Sequence, residues 1–227
     1  MRIIKPSFKI LDPINGSQIL KKIEYIGRKA HKSEDRITID TTDESARKFI
    51  KMLLERDHLS VIEHVNISVE IICDRGVSHE LVRHRLASYT QESTRYCNYS
   101  QGKFGSEITV ILPLWFYDCF NVEEQKITAV GELNEAFLIW HRSCALAEHA
   151  YFDLLNYGLK TEQTRAVLPT CLKTEIAVTC NLREWRHIFT MRCAKAAHPQ
   201  MRQIMIPLLH EFQTQIPVIF DDIIINE

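Results

Sequence analysis

The run VNISVEIICDRGVSHELVRHRLASYTQES, residues 65–93, changes its local pattern twice. Val65, Ile67, Val69 and Ile71 alternate with Asn66, Ser68 and Glu70, which is the period of a half-buried strand and predicts one over Val65–Cys73. Val77-Ser78-His79-Glu80-Leu81-Val82 then reads as a helix that ends in Arg83-His84-Arg85. From Ser88 to Tyr96 the chain is too rich in hydroxyls and amides for ordinary helix, because such side chains compete for backbone hydrogen bonds. A helix end that carries two arginines and a histidine into a hydroxyl-rich loop offers many donors to one anionic ligand. Phosphate is the natural guess.

The surrounding composition points the same way. Between Met52 and Gly102 there is no lysine, yet Arg56, Arg75, Arg83, Arg85 and Arg95 are present. Lysine serves solubility as well as arginine does, so exclusive use of arginine suggests planar, bidentate recognition of phosphate, carboxylate or an imide edge. Chance is the plain alternative. The whole chain of 227 residues has a net charge of -1, so no global field recruits nucleic acid or an acidic membrane, and an anion site must be local. A hydrophobic content of 45% suffices for a sizeable core. No apolar run reaches the roughly 18 residues of a spanning helix, and Met1-Arg2-Ile3-Ile4 lacks the apolar region of a signal peptide. Seven cysteines without a Cys-x-x-Cys pair read as reduced thiols of a cytoplasmic protein.

Outward from the run, two helices are expected before the first clear strand. One carries Ile19, Ile23 and Ile26 between Ser17 as cap and Gly27; the other carries Ala46, Phe49, Ile50, Leu53 and Leu54 after Thr42-Asp43. Ile108–Leu112 reads as a short strand stopped by Pro113, Glu123–Tyr157 as one or two long helices, and Ala177–Cys180 as a strand feeding a helix that starts in Asn181-Leu182-Arg183. No linker, low-complexity tract or repeat divides the chain. The order of elements argues for an α+β fold in one domain, residues 1–227, and against a doubly wound sheet.

A second cluster of candidate groups lies between residues 165 and 202. Arg165 enters an apolar turn, and Arg183, Arg186 and His187 fall at i, i+3 and i+4 on one helix face. Arg192 lies nine residues after Arg183, half a turn around, so the helix could serve two ligands. A solvated basic face, with Glu184 balancing charge, is the plain alternative. No glycine-rich phosphate loop is present. His79 and His84, and His58 and His64, are not spaced to stack two ligands on one helical face, so no metal site is expected. Tyr89, Tyr96 and Tyr99 suit either ring stacking or core packing.

Together these segments resemble the flavin-dependent thymidylate synthases. Arg83 to Ser93 matches that family's most specific signature: arginine-histidine-arginine, seven residues, serine. Asp57–His64 resembles its segment before the first strand, Ser93-Thr94-Arg95-Tyr96 its nucleotide loop, Arg165–Pro169 its arginine turn, and Asn181–His187 with Met191-Arg192 its flavin-binding helix. The resemblance implies long helices packed on a small, mainly antiparallel sheet, and a homotetramer with active sites at subunit contacts. It implies FAD held by Ser60, Glu63, Arg83, His84, Arg85, Asn181, Arg183 and His187, with Arg83 and His84 near the flavin ring. It implies dUMP held by Glu80, Gln91, Glu92, Ser93, Arg95, Arg165 and Arg192. Ser93, Arg95 and Arg165 would take the phosphate and Arg192, as the catalytic residue, would face the uracil. His58 and Tyr96 are candidates for the folate side. NADPH and methylenetetrahydrofolate would be co-substrates for a reductive methylation of dUMP that uses no cysteine nucleophile. Glu80 stands where many relatives carry glutamine, and His187 where asparagine is frequent.

Two other classes compete. A nucleic-acid or nucleotide-binding module without catalysis is disfavoured by the near-neutral charge and the lack of a lysine-rich face. A flavin oxidoreductase with a different substrate uses the same cations.

Overall fold

The computed structural model describes residues 1–37, 43–128 and 132–225. In chain order its elements are β1 (Arg2–Ile4), β2 (Ser7–Ile10), α1 (Gly16–Arg28), α2 (Glu44–Glu55), β3 (Asn66–Asp74), α3 (Arg75–Leu81), β4 (Ser88–Gln91), β5 (Thr109–Ile111), β6 (Phe120–Asn121), β7 (Lys126–Ile127), α4 (Glu132–Asn156), α5 (Thr161–Thr164), β8 (Lys173–Asn181), α6 (Leu182–Arg192) and α7 (Pro199–Gln215), joined by turns and short 3-10 segments. The α+β expectation holds: helices accompany a small antiparallel sheet of order β2-β3-β8-β4. The strand expected at 65–73 is β3, and its alternation places Ile67, Val69, Ile71 and Cys73 inside. β8 repeats the pattern with Thr174, Ile176, Val178 and Cys180 buried, and starts earlier than Ala177 because Lys173 and Glu175 hold its polar positions.

The chain divides into two compact units, one of Met1–Ser7, Ile71–Arg83 and Thr90–Ala177, the other of Phe8–Glu70, His84–Tyr89 and Val178–Glu227. In the first unit, β1 runs parallel to β5, pairing Ile3 with Val110. Helix α4 turns Phe137, Cys144 and Tyr151 inward at intervals of two helical turns. Phe137 meets Phe116 and Phe120, each with ring centres 5.7 Å apart. In the second unit, α6 and α7 enclose an aromatic core. Trp185 stacks on Phe189 at 5.5 Å, and Phe212 lies 5.2 Å from Phe189 and 5.3 Å from Phe220. Trp185 is fully buried and its Nε1–H donates to the carbonyl of Ile67 at 3.0 Å, so the indole leaves no polar group unpaired.

Several expectations are corrected. Two short strands, β1 and β2, precede the helices; three and four residues are too few to show a period. Helix α1 is capped by Asn15, whose side chain accepts from Gln18 N at 3.1 Å, while the Ser17 hydroxyl donates to Asp43. Thr42 lies outside the described residues; α2 follows Asp43. The long helix begins at Glu132, not Glu123. Asn121 Oδ1 accepts from the amides of Glu123 and Glu124, and the turn so formed returns the chain to pair Phe120 with Ile127. Helix α3 stops at Leu81, so Arg83-His84-Arg85 follows the helix and does not end it.

All seven cysteines are free thiols. Cys180 and Cys193 are buried and Cys97 is half-buried; burial raises all three thiols, Cys193 to about 12, which removes their reactive thiolate at neutral pH.

Gly16 opens α1 against the end of α7. A Cβ there would lie 2.2 Å from the Gln215 carbonyl oxygen, a backbone atom with no rotamer to move away. Gly16→Ala is therefore expected to lower unfolding free energy by about 1–3 kcal/mol through overpacking, measured by urea melts. An unchanged midpoint would show that the α1 entry yields freely.

Candidate functional site

The second unit builds its site around one buried histidine. After α3 ends, the chain enters an irregular stretch in which His84 is 5% exposed, and the Tyr89 hydroxyl donates to its carbonyl at 2.9 Å. Helix α6 supplies what faces the ring. Asn181 caps the helix, its Oδ1 accepting from Glu184 N at 2.9 Å, and this sets the helical phase. Arg192 Nε then donates to His84 Nε2 at 2.9 Å. On the other side of the ring, Glu184 Oε1 lies 3.6 Å from Nδ1, and the His187 ring sits edge-on with centres 5.5 Å apart. Burial, then the Arg192 charge, then His187 push the His84 pKa down to about 4, so the ring is neutral at physiological pH. Burial raises the Glu184 carboxyl.

Beside this cluster, Glu63, Leu86, Asn181, Arg183 and His187 line a cavity of about 730 Å³. Arg183 Nη1 donates to Glu63 Oε1 at 2.6 Å across it. The donor set of cation, amide, imidazole and carboxylate with apolar Leu59 and Leu86 suits a ligand that has both a flat apolar part and a polar chain, as a flavin nucleotide does. His58 and Ser60 line a different cavity, of about 920 Å³, with Arg28, Arg36, Lys48 and Arg56. Arg85 is exposed.

The first unit holds the remaining predicted residues. Gln91 Nε2 donates to Ser78 Oγ at 2.9 Å and Thr174 Oγ1 at 3.1 Å. The Glu92 carboxylate accepts from the Tyr99 hydroxyl at 3.1 Å and Lys173 Nζ at 3.2 Å, while its carbonyl accepts from Arg75 at 3.1 Å. These bonds fix the loop that follows. There Ser93 Oγ accepts from Arg95 N at 3.3 Å, and the Arg95 guanidinium lies over the ring of Tyr96, 5.0 Å from its centre, and donates to its hydroxyl at 3.1 Å. Tyr96 is 77% exposed. Arg83, Arg95 and Arg165 are exposed, and Glu80 is half-buried on α3. Among the described residues, Arg83, Arg85 and Arg165 show no side-chain hydrogen bond or ion pair, which leaves three guanidinium forks open to an outside anion.

Residues proposed for the flavin, except Arg83, thus belong to the second unit, and those proposed for dUMP, except Arg192, to the first. Sequence reasoning missed Glu184, which enters there only in the alternative of a solvated basic face; it is 6% exposed and faces His84. It missed Arg75, whose Nη1 also reaches Thr174 Oγ1 at 3.0 Å. The arginine-only stretch contains Arg75, and was the available signal. His84, Glu184 and His187 also place one ligand atom each within 4.8 Å of one another, a triad no sequence spacing showed. The Arg192 bond occupies His84 Nε2, so Nδ1 bears the ring proton, and a cation would have to displace it.

Helices over a small antiparallel sheet carry open guanidinium forks and a histidine-anchored arginine, groups whose chemistry suits an anionic ligand. The chain belongs to the family described as thymidylate synthase complementing protein, which matches residues 15–218. It is 32% identical over 192 residues to the flavin-dependent thymidylate synthase of Pyrococcus furiosus, covering 83% of this chain and 70% of that one. With the enzyme of the same description from Corynebacterium aurimucosum it shares 31% over 207 residues, 88% and 78% of the two chains. Its fold is similar to that of the UMP/dUMP methylase PolB from Streptomyces cacaoi, solved with 5-Br dUMP, at a TM-score of 0.77 and 18% identity over 97% of this chain and 96% of that one.

His84 takes its proton near pH 4 when folded and near 6.5 when unfolded, so between these values the unfolded chain binds more protons, and stability rises with pH and is lost as the pH is lowered. From pH 7 to 4.5 the wild type is expected to lose on the order of 2 kcal/mol more than His84→Gln, read from urea melts across that range. Parallel pH curves for the two proteins would place His84 in a solvated, ordinary environment.

Proposed function

We propose that this chain is a flavin-dependent thymidylate synthase that converts dUMP, methylenetetrahydrofolate, NADPH and a proton into dTMP, tetrahydrofolate and NADP+. The observation that carries this reading is the His84–Arg192 hydrogen bond: it joins the centre of the Arg83-to-Ser93 signature to the arginine proposed for catalysis, in a chain of this family. Ser60, Glu63, Arg83, His84, Arg85, Asn181, Arg183 and His187 are the residues proposed to hold FAD, and the cavity beside Asn181 and Arg183 fits that role. Bound FAD supplies the two-electron transfer between NADPH and the one-carbon unit.

The protein's own groups do the rest in this reading. Ser93, Arg95 and Arg165 bind the dUMP phosphate, which the open fork of Arg165 supports. Glu80, Gln91 and Glu92 complete the nucleotide contacts; with the Gln91 and Glu92 side chains already bonded inside the protein, their part is to hold the loop backbone in place. Arg192 lies against the uracil and stabilises negative charge as it develops on the ring, a role that a preorganised cation fills at no cost in reorganisation. No cysteine acts as nucleophile, in keeping with raised pKa values at Cys97, Cys180 and Cys193. His58 and exposed Tyr96 serve the folate side.

The reading includes one domain over residues 1–227, a cytoplasmic location and a homotetramer whose subunits complete each other's sites. Exposed Leu86, inside the signature at 76% exposure, supports the last point, as do Ile139 and Leu146, 67% and 69% exposed on α4. Among the described residues no helix is long and apolar enough to cross a membrane, and neither membrane nor nucleic acid is a partner in this reading.

With dUMP tritiated at the ring carbon that accepts the methylene, plus NADPH and methylenetetrahydrofolate, the protein is expected to release tritium. A flavin-loaded protein that releases none would contradict the assignment. Arg192→Ala is expected to lower turnover by about 10²- to 10³-fold while the bound-flavin absorbance persists. Loss of the flavin in that variant would move Arg192 from the substrate to the cofactor.

A further inference from the structure

We infer that Glu184 is a positioning residue: its buried carboxylate holds His84 in the Nδ1–H tautomer, which keeps Nε2 as the acceptor that orients the guanidinium of Arg192. The inference rests on the reading above for the role of Arg192, but the tautomer itself does not.

Arginine Nε–H is a donor only, so a 2.9 Å bond from it to His84 Nε2 requires a bare lone pair on that nitrogen. The ring is neutral at physiological pH, so its one proton sits on Nδ1. That proton points toward Glu184 Oε1, 3.6 Å away; this is too long for a hydrogen bond, but water screens the carboxylate less where both side chains are nearly sealed from it. In the opposite tautomer an N–H on Nε2 would meet the N–H of Arg192 head-on, while the lone pair on Nδ1 would face a carboxylate. Both contacts are repulsive.

A buried carboxylate costs stability unless something nearby compensates. Among the described residues, the charged and titratable groups facing His84 are Glu184 and His187 from α6, Arg192 from the end of that helix, and Tyr89 from β4, within the signature. Glu184 is the one carboxylate among them, and its backbone is pinned by the Asn181 cap. One helix therefore holds His84 from both sides, with the carboxylate on Nδ1 and the guanidinium on Nε2. The Nε bond fixes the plane of the Arg192 guanidinium and so the direction in which it faces a ligand.

Nitrogen-15 histidine labelling of the flavin-loaded enzyme, read through two-bond nitrogen–proton correlations, reports the tautomer of His84 without any substrate. In the wild type the expected form is Nδ1–H. Arg192→Met removes the donor and leaves Glu184 in place, and Nδ1–H is expected to persist; a flip to Nε2–H there would show that Arg192 sets the tautomer and would overturn the inference. Glu184→Leu is expected to shift His84 toward Nε2–H and to lower kcat for tritium release at least about 10-fold at unchanged flavin content. Glu184→Gln, whose amide oxygen can accept from Nδ1–H, is expected to restore Nδ1–H and most of the rate. Glu184→Leu with the wild-type tautomer or the wild-type rate would contradict the inference, and if that variant does not fold, Arg192→Met and Glu184→Gln still decide it. Failure of the wild type to release tritium would instead count against the thymidylate synthase reading, whatever the tautomer.

Discussion

The hydrogen bond from Arg192 Nε to His84 Nε2 is the constraint on which the second unit's site depends. It ties the loop that carries the signature to the far end of α6. At its near end, α6 is fixed by the Asn181 cap and by the Trp185 indole bound to β3. A cation placed in this way has little freedom left, and a stationary cation is what electrostatic stabilisation of a developing anion requires. Neutrality of His84 is part of the same arrangement, since a protonated ring could not accept from a guanidinium.

The first unit solves a different problem by similar means. Its chain from Ser88 to Tyr96 is rich in hydroxyls and amides, groups that would compete for backbone partners if left loose. Arg75, Ser78, Thr174, Tyr99 and Lys173 occupy the polar groups of Gln91 and Glu92, so the loop beyond them starts from a fixed point. The guanidinium of Arg95 rests on Tyr96 and those of Arg83 and Arg165 stay exposed. Polar groups that hold the frame are thus separated from cations left for a ligand.

Elements governed by a local period were legible in the sequence. β3 showed its alternation, α1 and α2 their apolar stripes, and α6 its start in Asn181-Leu182-Arg183. What was misread depended on partners distant in the chain or on one local bond. β1 exists because β5 pairs with it across about a hundred residues, and no period marks a three-residue strand. The helix expected from Glu123 is replaced by the Asn121 turn, a side-chain bond that propensity does not weigh. Among the candidate cations, Arg83, Arg85 and Arg95 stood out because their stretch uses arginine without lysine, and the signature spacing set the first two in order before Ser93. Glu184 was not, because one turn inside a helix start a glutamate reads as ordinary surface charge; only the fold brings onto it His84, which lies one hundred residues earlier in the chain.

The most direct test of the account is a crystal structure with dUMP bound, in which the distance from Arg192 Nε to His84 Nε2 is measured. The account predicts that this bond persists near its present 2.9 Å while the terminal NH₂ groups of Arg192 meet the uracil oxygens. An Arg192 that leaves His84 to reach the nucleotide, or that remains on His84 and touches no part of it, would contradict the claim that the histidine of the signature aims the arginine proposed for catalysis.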